Sequence, residues 1–273
     1  MPTNAVSRHY VAGGDLARAI AERLRAAGKD LERLAAGDLA SVDEFHVRGR
    51  KATLELAAFL NVNSGSRVLD IGSGLGGPAR TVAEAYGCHV TGIDLTEAFC
   101  DAAAIMSSWV RLADRVEFRQ GDATHLPFDD GVFDAAMTIH VAMNIARKDH
   151  VYVEARRVLK PGGRFVVYDI LQGEGGDVLY PVPWARAPSI SHLATPEEMP
   201  RLLSDAGFGI VAVTDSTEES QRWFEGVAQR AAGTAPGVTF QAFLGDDFAE
   251  MARNQVANLR ERRIRTVSYV CEA

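Results

Sequence analysis

Arg67-Val68-Leu69-Asp70-Ile71-Gly72-Ser73-Gly74-Leu75-Gly76-Gly77-Pro78 decides how this chain folds. A short β-prone run carrying one acid meets four glycines, and a proline comes directly after them. A strand that runs into glycines turns sharply, because glycine adopts positive φ angles that other residues resist. Pro78 suits the first turn of a helix, where its missing N–H is one the helix would not use, so a helix is expected from Pro78 to about Tyr86. Bare glycine backbone and the free N–H groups of that helix start form a seat for a nucleotide-like ligand. Which ligand sits there separates one function from another, and Asp70 is the residue that discriminates.

Outward from this turn the chain alternates strand and helix, the pattern of a mostly parallel sheet covered on both faces. Strands are expected at Arg67–Ile71, His89–Asp94, Val116–Gln120, Val132–Ile139, Arg164–Leu171, Gly209–Asp215 and Ile264–Cys271. Helices are expected at about Pro78–Tyr86, Thr96–Leu112, His150–Leu159 and Pro196–Ala206, with Lys160-Pro161-Gly162-Gly163 stopping the third of them. Before the sheet, the first 45 or so residues read as helical, with Leu16, Ile20 and Leu24 on one face and Leu31 and Leu34 continuing after Gly28. A further helix spans about Lys51 to Leu60. Two stretches break the alternation: Gly173–Pro196, rich in Gly and Pro, and Glu218–Arg260, helical and carrying Trp223, Phe224, Phe240 and Phe243. Late insertions of this kind cap the crevice at the carboxyl ends of the strands. The expected organisation is a single domain with three parts: 1–60 as a helical extension or lid, 61–172 as the ligand-binding core, and 173–273 as the rest of the sheet with its capping insertions.

At 273 residues the chain is long enough for a sizeable core, and its 47% hydrophobic and 24% charged residues are ordinary for a globular protein. A formal net charge of −7 argues against nonspecific nucleic-acid binding; Arg260, Arg262, Arg263 and Arg265 are expected to be a solvated face. Cys88, Cys100 and Cys271 have no metal or disulfide spacing. The histidines show no paired metal spacing either, Asp129-Asp130 reads as a turn, and no metal is expected. No apolar run approaches the ~20 residues of a membrane span, and the N-terminus has no signal-peptide core. A reduced, cytoplasmic protein is the expectation.

Gly72-x-Gly74-x-x-Gly77 also fits the fingerprint of a dinucleotide turn, and Asp94 follows at a distance suited to a ribose. Asp70 argues against a dinucleotide, since a carboxylate at the strand end would face the pyrophosphate and repel it. The same carboxylate suits a ligand that brings an ammonium and a sulfonium to the turn. Asp94 ends the second strand, where its oxygens suit vicinal ribose hydroxyls. Gly121-Asp122-Ala123 closes the third strand with a side-chain acceptor and main-chain N–H groups for an adenine edge.

With these ordered motifs, over about Phe45 to Thr217, the chain resembles the class I S-adenosylmethionine-dependent methyltransferases. It is similar to their small-molecule branch, which includes ubiquinone/menaquinone C-methyltransferases and sarcosine/dimethylglycine-type N-methyltransferases. The shared details are Phe45-His46-x-Arg48-Gly49, His140-Val141-Ala142-Met143-Asn144-Ile145 and Tyr180-Pro181-Val182-Pro183-Trp184-Ala185. The resemblance implies an α/β fold: a doubly wound, Rossmann-like seven-stranded sheet whose last strand is antiparallel. It implies S-adenosyl-L-methionine as cofactor, a small-molecule methyl acceptor as partner, and cofactor contacts at Asp70, Gly72, Gly74, Asp94, Leu95, Asp122, Ala123 and Ile139. Ser73 and Gly76 belong to the same cofactor turn.

Each candidate has a plainer counterpart. Asp94 suits a cap for the helix at Thr96, and Asp122-Ala123-Thr124 suits an ordinary turn. Arg48 is either a charge-assisted fork on the cofactor carboxylate or a surface arginine at a helix start. His140, ending the fourth strand at the crevice, is the candidate catalytic base, or else a ring that orients the loop or stacks on substrate. Tyr180, Trp184, Trp223 and Phe243 suit an aromatic pocket for a cationic amine, but plain core is the commoner fate of such residues. His9 and Tyr10 lie in a tail that folds over the crevice or stays mobile. The acceptor is open among an amine, a ring carbon and a hydroxyl. Two other functions stay open: an NAD-dependent oxidoreductase using the same turn, and a cofactor-binding protein without catalysis.

Overall fold

The computed structural model describes residues 16–231 and 247–273. Its centre is β1 (Arg67–Ile71), whose neighbours are β2 (His89–Asp94) and β4 (Phe133–Ile139). With β3 (Val116–Gln120), β5 (Leu159–Gln172), β6 (Gly209–Asp215) and β7 (Ile264–Glu272) they form one seven-stranded sheet in the order β3-β2-β1-β4-β5-β7-β6. β1 to β5 pair in parallel, while β7 runs antiparallel to both β5 and β6. The order reverses between β1 and β4, which places a ligand crevice beyond their carboxyl ends. Register lines up Ile71 with Thr138 there, so the glycine turn and His140 leave the sheet side by side.

Alternation along the strands fills both faces. Leu69, Ile71, Phe165 and Val167 face one core under α6 (Lys148–Val158) and α7 (Glu198–Asp205). Val68, Val166 and Tyr168 face the other, shared with α3 (Gly49–Ala57) and α4 (Gly77–Tyr86). Asp70, even-numbered like Val68, falls on this second face. The N-terminal part is α1 (Leu16–Ala26), a short turn of helix at Leu31–Arg33, and α2 (Ala36–Asp43). Ile20, Leu24, Leu34 and Leu39 pack with Phe99 and Met106 of α5 (Glu97–Trp109) and with Leu75 of the glycine turn. α8 (Thr217–Ala231) and α9 (Phe248–Arg260) lie over the end of the sheet nearest β7.

Most elements match the sequence expectation to within a few residues, and two of the shifted boundaries have clear reasons. α3 begins at Gly49, because Arg48 takes a left-handed φ of 71° and cannot lie inside the helix. β5 begins at Leu159, which pairs at once with Phe133, and the Lys160–Gly163 segment bulges before Arg164 pairs with Ala135. The Lys160 Nζ–Asp134 Oδ1 ion pair, 2.6 Å, holds the bulge to β4. All three cysteines are free and buried. Among the described residues no helix is long and apolar enough to cross a membrane.

Candidate active site

The glycine turn is hung on β2. Gly72 and Ser73 both donate their N–H groups to the Ile93 carbonyl, at 2.8 and 3.0 Å. Gly72 has φ 77°, and a Cβ there would overlap the Val141 methyl groups, so only glycine lets the turn pass the β4 loop. Gly74, by contrast, looks onto open space. Its N–H reaches Asp94 Oδ2 at 2.9 Å, and Asp94 Oδ1 accepts from the Thr96 N–H at 2.9 Å. Asp94 therefore braces the turn and fixes the approach to α5, where the Thr96 side chain bonds it as well. The Ser73 hydroxyl is buried with no partner among the described residues.

Asp70 is 1% exposed, and its Oδ2 has no partner among the described residues. Burial pushes its carboxyl up to about 8; Glu44 and Asp94 push the same way, against the Ala79 amide and Arg80. Glu44 comes from the strap that joins α2 to α3. Its two oxygens accept from Thr53 Oγ1 at 2.6 Å and Thr81 Oγ1 at 2.5 Å. Next to it, Asp43 Oδ2 pairs with Arg80 at 2.7 Å, both side chains almost wholly buried. Sequence reasoning missed this part of the site: Asp43, Glu44, Thr53 and Thr81. Arg80 carried a signal, as an arginine among Ala79, Val82 and Ala83 on a helix buried almost all round.

The other expected cofactor residues sit at the strand ends. Ile139 is buried at the end of β4 and Leu95 is half-buried after β2. Asp122 is exposed, and its Oδ1 accepts from the Thr124 N–H at 2.8 Å and the Thr124 hydroxyl at 2.7 Å, while Ala123 packs toward the core. Arg48 points elsewhere: its guanidinium pairs with Glu55 and, at 2.8 Å, with Glu219 of α8. The fork is thus engaged by two carboxylates.

His140 follows β4 with φ 54°, its N–H bonded to the Tyr168 carbonyl at 2.8 Å. The ring lies 4.8 Å from Tyr168 and 6.0 Å, edge-on, from His46. Its Nε2 is buried without a partner among the described residues. Burial, reinforced by His46, holds the imidazole well below its usual range, and burial lowers His46 to about 4. Both rings are therefore neutral near pH 7.

Of the aromatic candidates, Trp184 is core: it is 1% exposed and donates Nε1–H to Ser191 at 3.0 Å. Tyr180 and Trp223 are partly buried around the same cluster. His9, Tyr10, Phe240 and Phe243 lie outside the described residues. The C-terminal arginines are ion-paired, Arg260 with Glu225, Arg262 with Glu218, Arg263 with Glu261 and Arg265 with Asp215. Among the described residues no group of three or more His, Cys, Asp or Glu is placed to hold a metal.

Fold and site define a Rossmann-like protein whose glycine turn is lined by two acids, Asp70 with an unmet oxygen and Asp94 bonded to Gly74. The methyltransferase-domain family matches residues 69–167. Methyltransferase GfsG of Streptomyces halstedii is 33% identical over 190 residues, covering 67% of this chain and 67% of that protein. Sterol 24-C-methyltransferase ERG6B of Gibberella zeae is 42% identical over 116 residues, 42% of this chain and 30% of that one. The chain thus spans about a third of the length of this sterol enzyme. Geranyl diphosphate C-methyltransferase from Streptomyces coelicolor A3(2), solved with Mg2+, geranyl-S-thiolodiphosphate and S-adenosyl-L-homocysteine, has the same fold. The TM-score is 0.71 at 18% identity, over 99% of this chain and 97% of that one. The chain belongs to the class I S-adenosylmethionine-dependent methyltransferases, and this membership favours the sulfonium ligand over the nicotinamide reading of its glycine turn.

Proposed function

We propose that the protein methylates a small molecule, with S-adenosylmethionine lying across Gly72–Gly76 and Asp94 and the acceptor over the ends of β4 and β5. One observation carries the proposal: Asp70 is buried with an unmet oxygen, and Glu44 and Asp94 are close enough to raise its pKa. Converging carboxylates in a low dielectric are costly until a cation arrives, and then attractive. The bound cofactor supplies a methyl group activated on a sulfonium.

The chain's own residues do the rest. Asp70 answers the ligand's positive charge. Asp94 accepts from ribose hydroxyls, Leu95 and Ile139 flank the adenine, and Asp122-Ala123 borders its edge. Gly72, Ser73, Gly74 and Gly76 bring the backbone close; Arg48, held by Glu55 and Glu219, takes no part. His140 accepts a proton at Nε2. With a hydroxyl acceptor, the oxygen would gain positive charge as it took the methyl group from the sulfonium, and its O–H would become strongly acidic. A neutral imidazole suffices to take the proton, even one whose basicity burial has lowered.

Titration calorimetry with S-adenosylhomocysteine tests the site: sub-millimolar binding is expected, and its absence would sink the proposal. Thermal stabilisation by NADH instead would restore the oxidoreductase reading. Transfer of labelled methyl to an acceptor separates an enzyme from a binding protein.

A further inference from the structure

Gln255, in the middle of α9, has no surface exposure, and neither its amide nitrogen nor its amide oxygen has a partner among the described residues. Its neighbours on the helix are well employed. Asn254 donates to the Pro181 carbonyl at 3.0 Å, and Asn258 holds Leu179 by two bonds of 2.9 and 2.8 Å. Those amides fix the Leu179–Pro181 segment; Gln255 fixes nothing. A dry, unpaired carboxamide is unfavourable, and a leucine of similar size would remove the penalty. Two unmet valences at one buried residue therefore point to a ligand group.

The packing around Gln255 says where that ligand lies. One turn earlier on α9, Met251 belongs to an apolar group with Phe45, and Ala252 to one with Val47 and Met143. Phe45 and Val47 flank His46, and Met143 follows His140 by one turn of chain. Gln255 thus lies on the face of α9 that packs on the strap and on the loop after β4, the loop that begins at His140, whose Nε2 is also unpartnered. The cations on the surrounding elements are taken: Arg48 by Glu55 and Glu219, Arg50 by Thr81 and Glu84, Lys148 by the carbonyls of Ile145 and His192. Glu44 is likewise satisfied by two threonine hydroxyls. Asp169 is buried with its Oδ2 unpartnered among the described residues, bonded by the Met143 backbone and opposed by Lys148. No free cation on these elements is therefore left to face an anionic acceptor.

We propose that the acceptor is a largely apolar molecule with two polar groups: a hydroxyl that is methylated against His140, and a second hydroxyl or carbonyl that Gln255 recognises. This rests on His140 as the proton acceptor. A carboxamide both donates and accepts, so it reads either group, and it rejects a skeleton that leaves it unpaired.

Gln255→Leu provides the test, with a labelled methyl donor and four probes: steroid hydroxyketones, the same hydroxysteroids without the ketone, steroid amines, and prenyl diphosphates. The wild type is expected to methylate the hydroxyketones best. The variant should keep S-adenosylhomocysteine affinity within twofold and melt no lower than wild type. Its KM for hydroxyketones should rise at least tenfold, while KM for the deoxo compounds stays unchanged. Equal changes for both skeletons overturn the role of Gln255, and so does a melting point several degrees lower, because the amide would then be structural. Turnover of amines or diphosphates in preference to hydroxyketones, or of none of the panel, overturns the acceptor class. If the wild type fails to bind S-adenosylhomocysteine, the methyltransferase proposal itself falls first.

Discussion

The two walls of the crevice are built in opposite ways. The cofactor wall is local: one run from Arg67 to Asp94 supplies the strand, the turn, the helix and the second strand, and Asp94 itself braces the turn through Gly74. Its polar groups are charged and clustered. The proposed acceptor wall is assembled from distant pieces, the strap around His46, the loop after β4, Trp184, Phe224 and α9, and its core is apolar, with His46, His140 and Gln255 among its buried polar groups. A local wall encodes ligand charge in its residue types. A composite wall encodes shape, and shape emerges only from packing.

The walls meet at the buried Arg80–Asp43 pair, where the largest effect is expected. Asp43→Ala leaves Arg80 buried without its carboxylate, which costs about 3–5 kcal/mol. Urea unfolding should show that loss, together with weaker S-adenosylhomocysteine binding as the strap loosens. A loss below about 1 kcal/mol would mean that the walls stand independently.

Asp70→Asn separates ligand binding from stability within the cofactor wall. Asp70 binds its proton more tightly in the folded protein, up to about 8, than in the unfolded chain near ~4. Its contribution to stability is therefore full below pH ~4 and is lost as pH rises through about 8. Asparagine does not titrate, so the variant should gain on the wild type across that window, on the order of 2–5 kcal/mol by pH 9. Binding moves the other way: losing the partner of a buried cation should weaken S-adenosylmethionine by about 3 kcal/mol. In the wild type, affinity should climb with pH toward 8 and then level, with protons released, measurable by calorimetry in buffers of different ionisation enthalpy. A pH-independent affinity would remove Asp70 from the charged contact.

This asymmetry also explains what the sequence disclosed. All seven strands were legible because apolar β-prone runs alternate with turns, and the antiparallel last strand came with the family resemblance. The turn was legible because Gly72 can be nothing else beside Val141. Glu44 and Asp43 were not, because a short helix end and a strap have no periodicity that says what they will face across 37 residues of chain. Arg48 stayed open between two readings for the same reason: a lone arginine states its charge, while its pairing with Glu55 and Glu219 comes from how α8 packs. Gln255 was hidden inside an amphipathic helix, where one glutamine looks like any other until its burial is known.

Asp122 is where the smallest effect is expected, and it sharpens the comparison most finely. It lies at the rim of the proposed cofactor wall, exposed, with Oδ1 already holding Thr124 twice. A carboxylate that water still reaches is well solvated, so a new hydrogen bond to a ligand displaces water for little net gain. Asp122→Ala should weaken S-adenosylhomocysteine by about 1 kcal/mol or less, part of it through the loosened turn. Thr124→Val, which removes the hydroxyl bond but leaves the carboxylate, should then account for a share of that loss. If Asp122→Ala costs more than about 2 kcal/mol while Thr124→Val costs nothing, Asp122 touches the ligand directly, and the cofactor wall extends to β3 as a line of binding carboxylates rather than ending at Asp94.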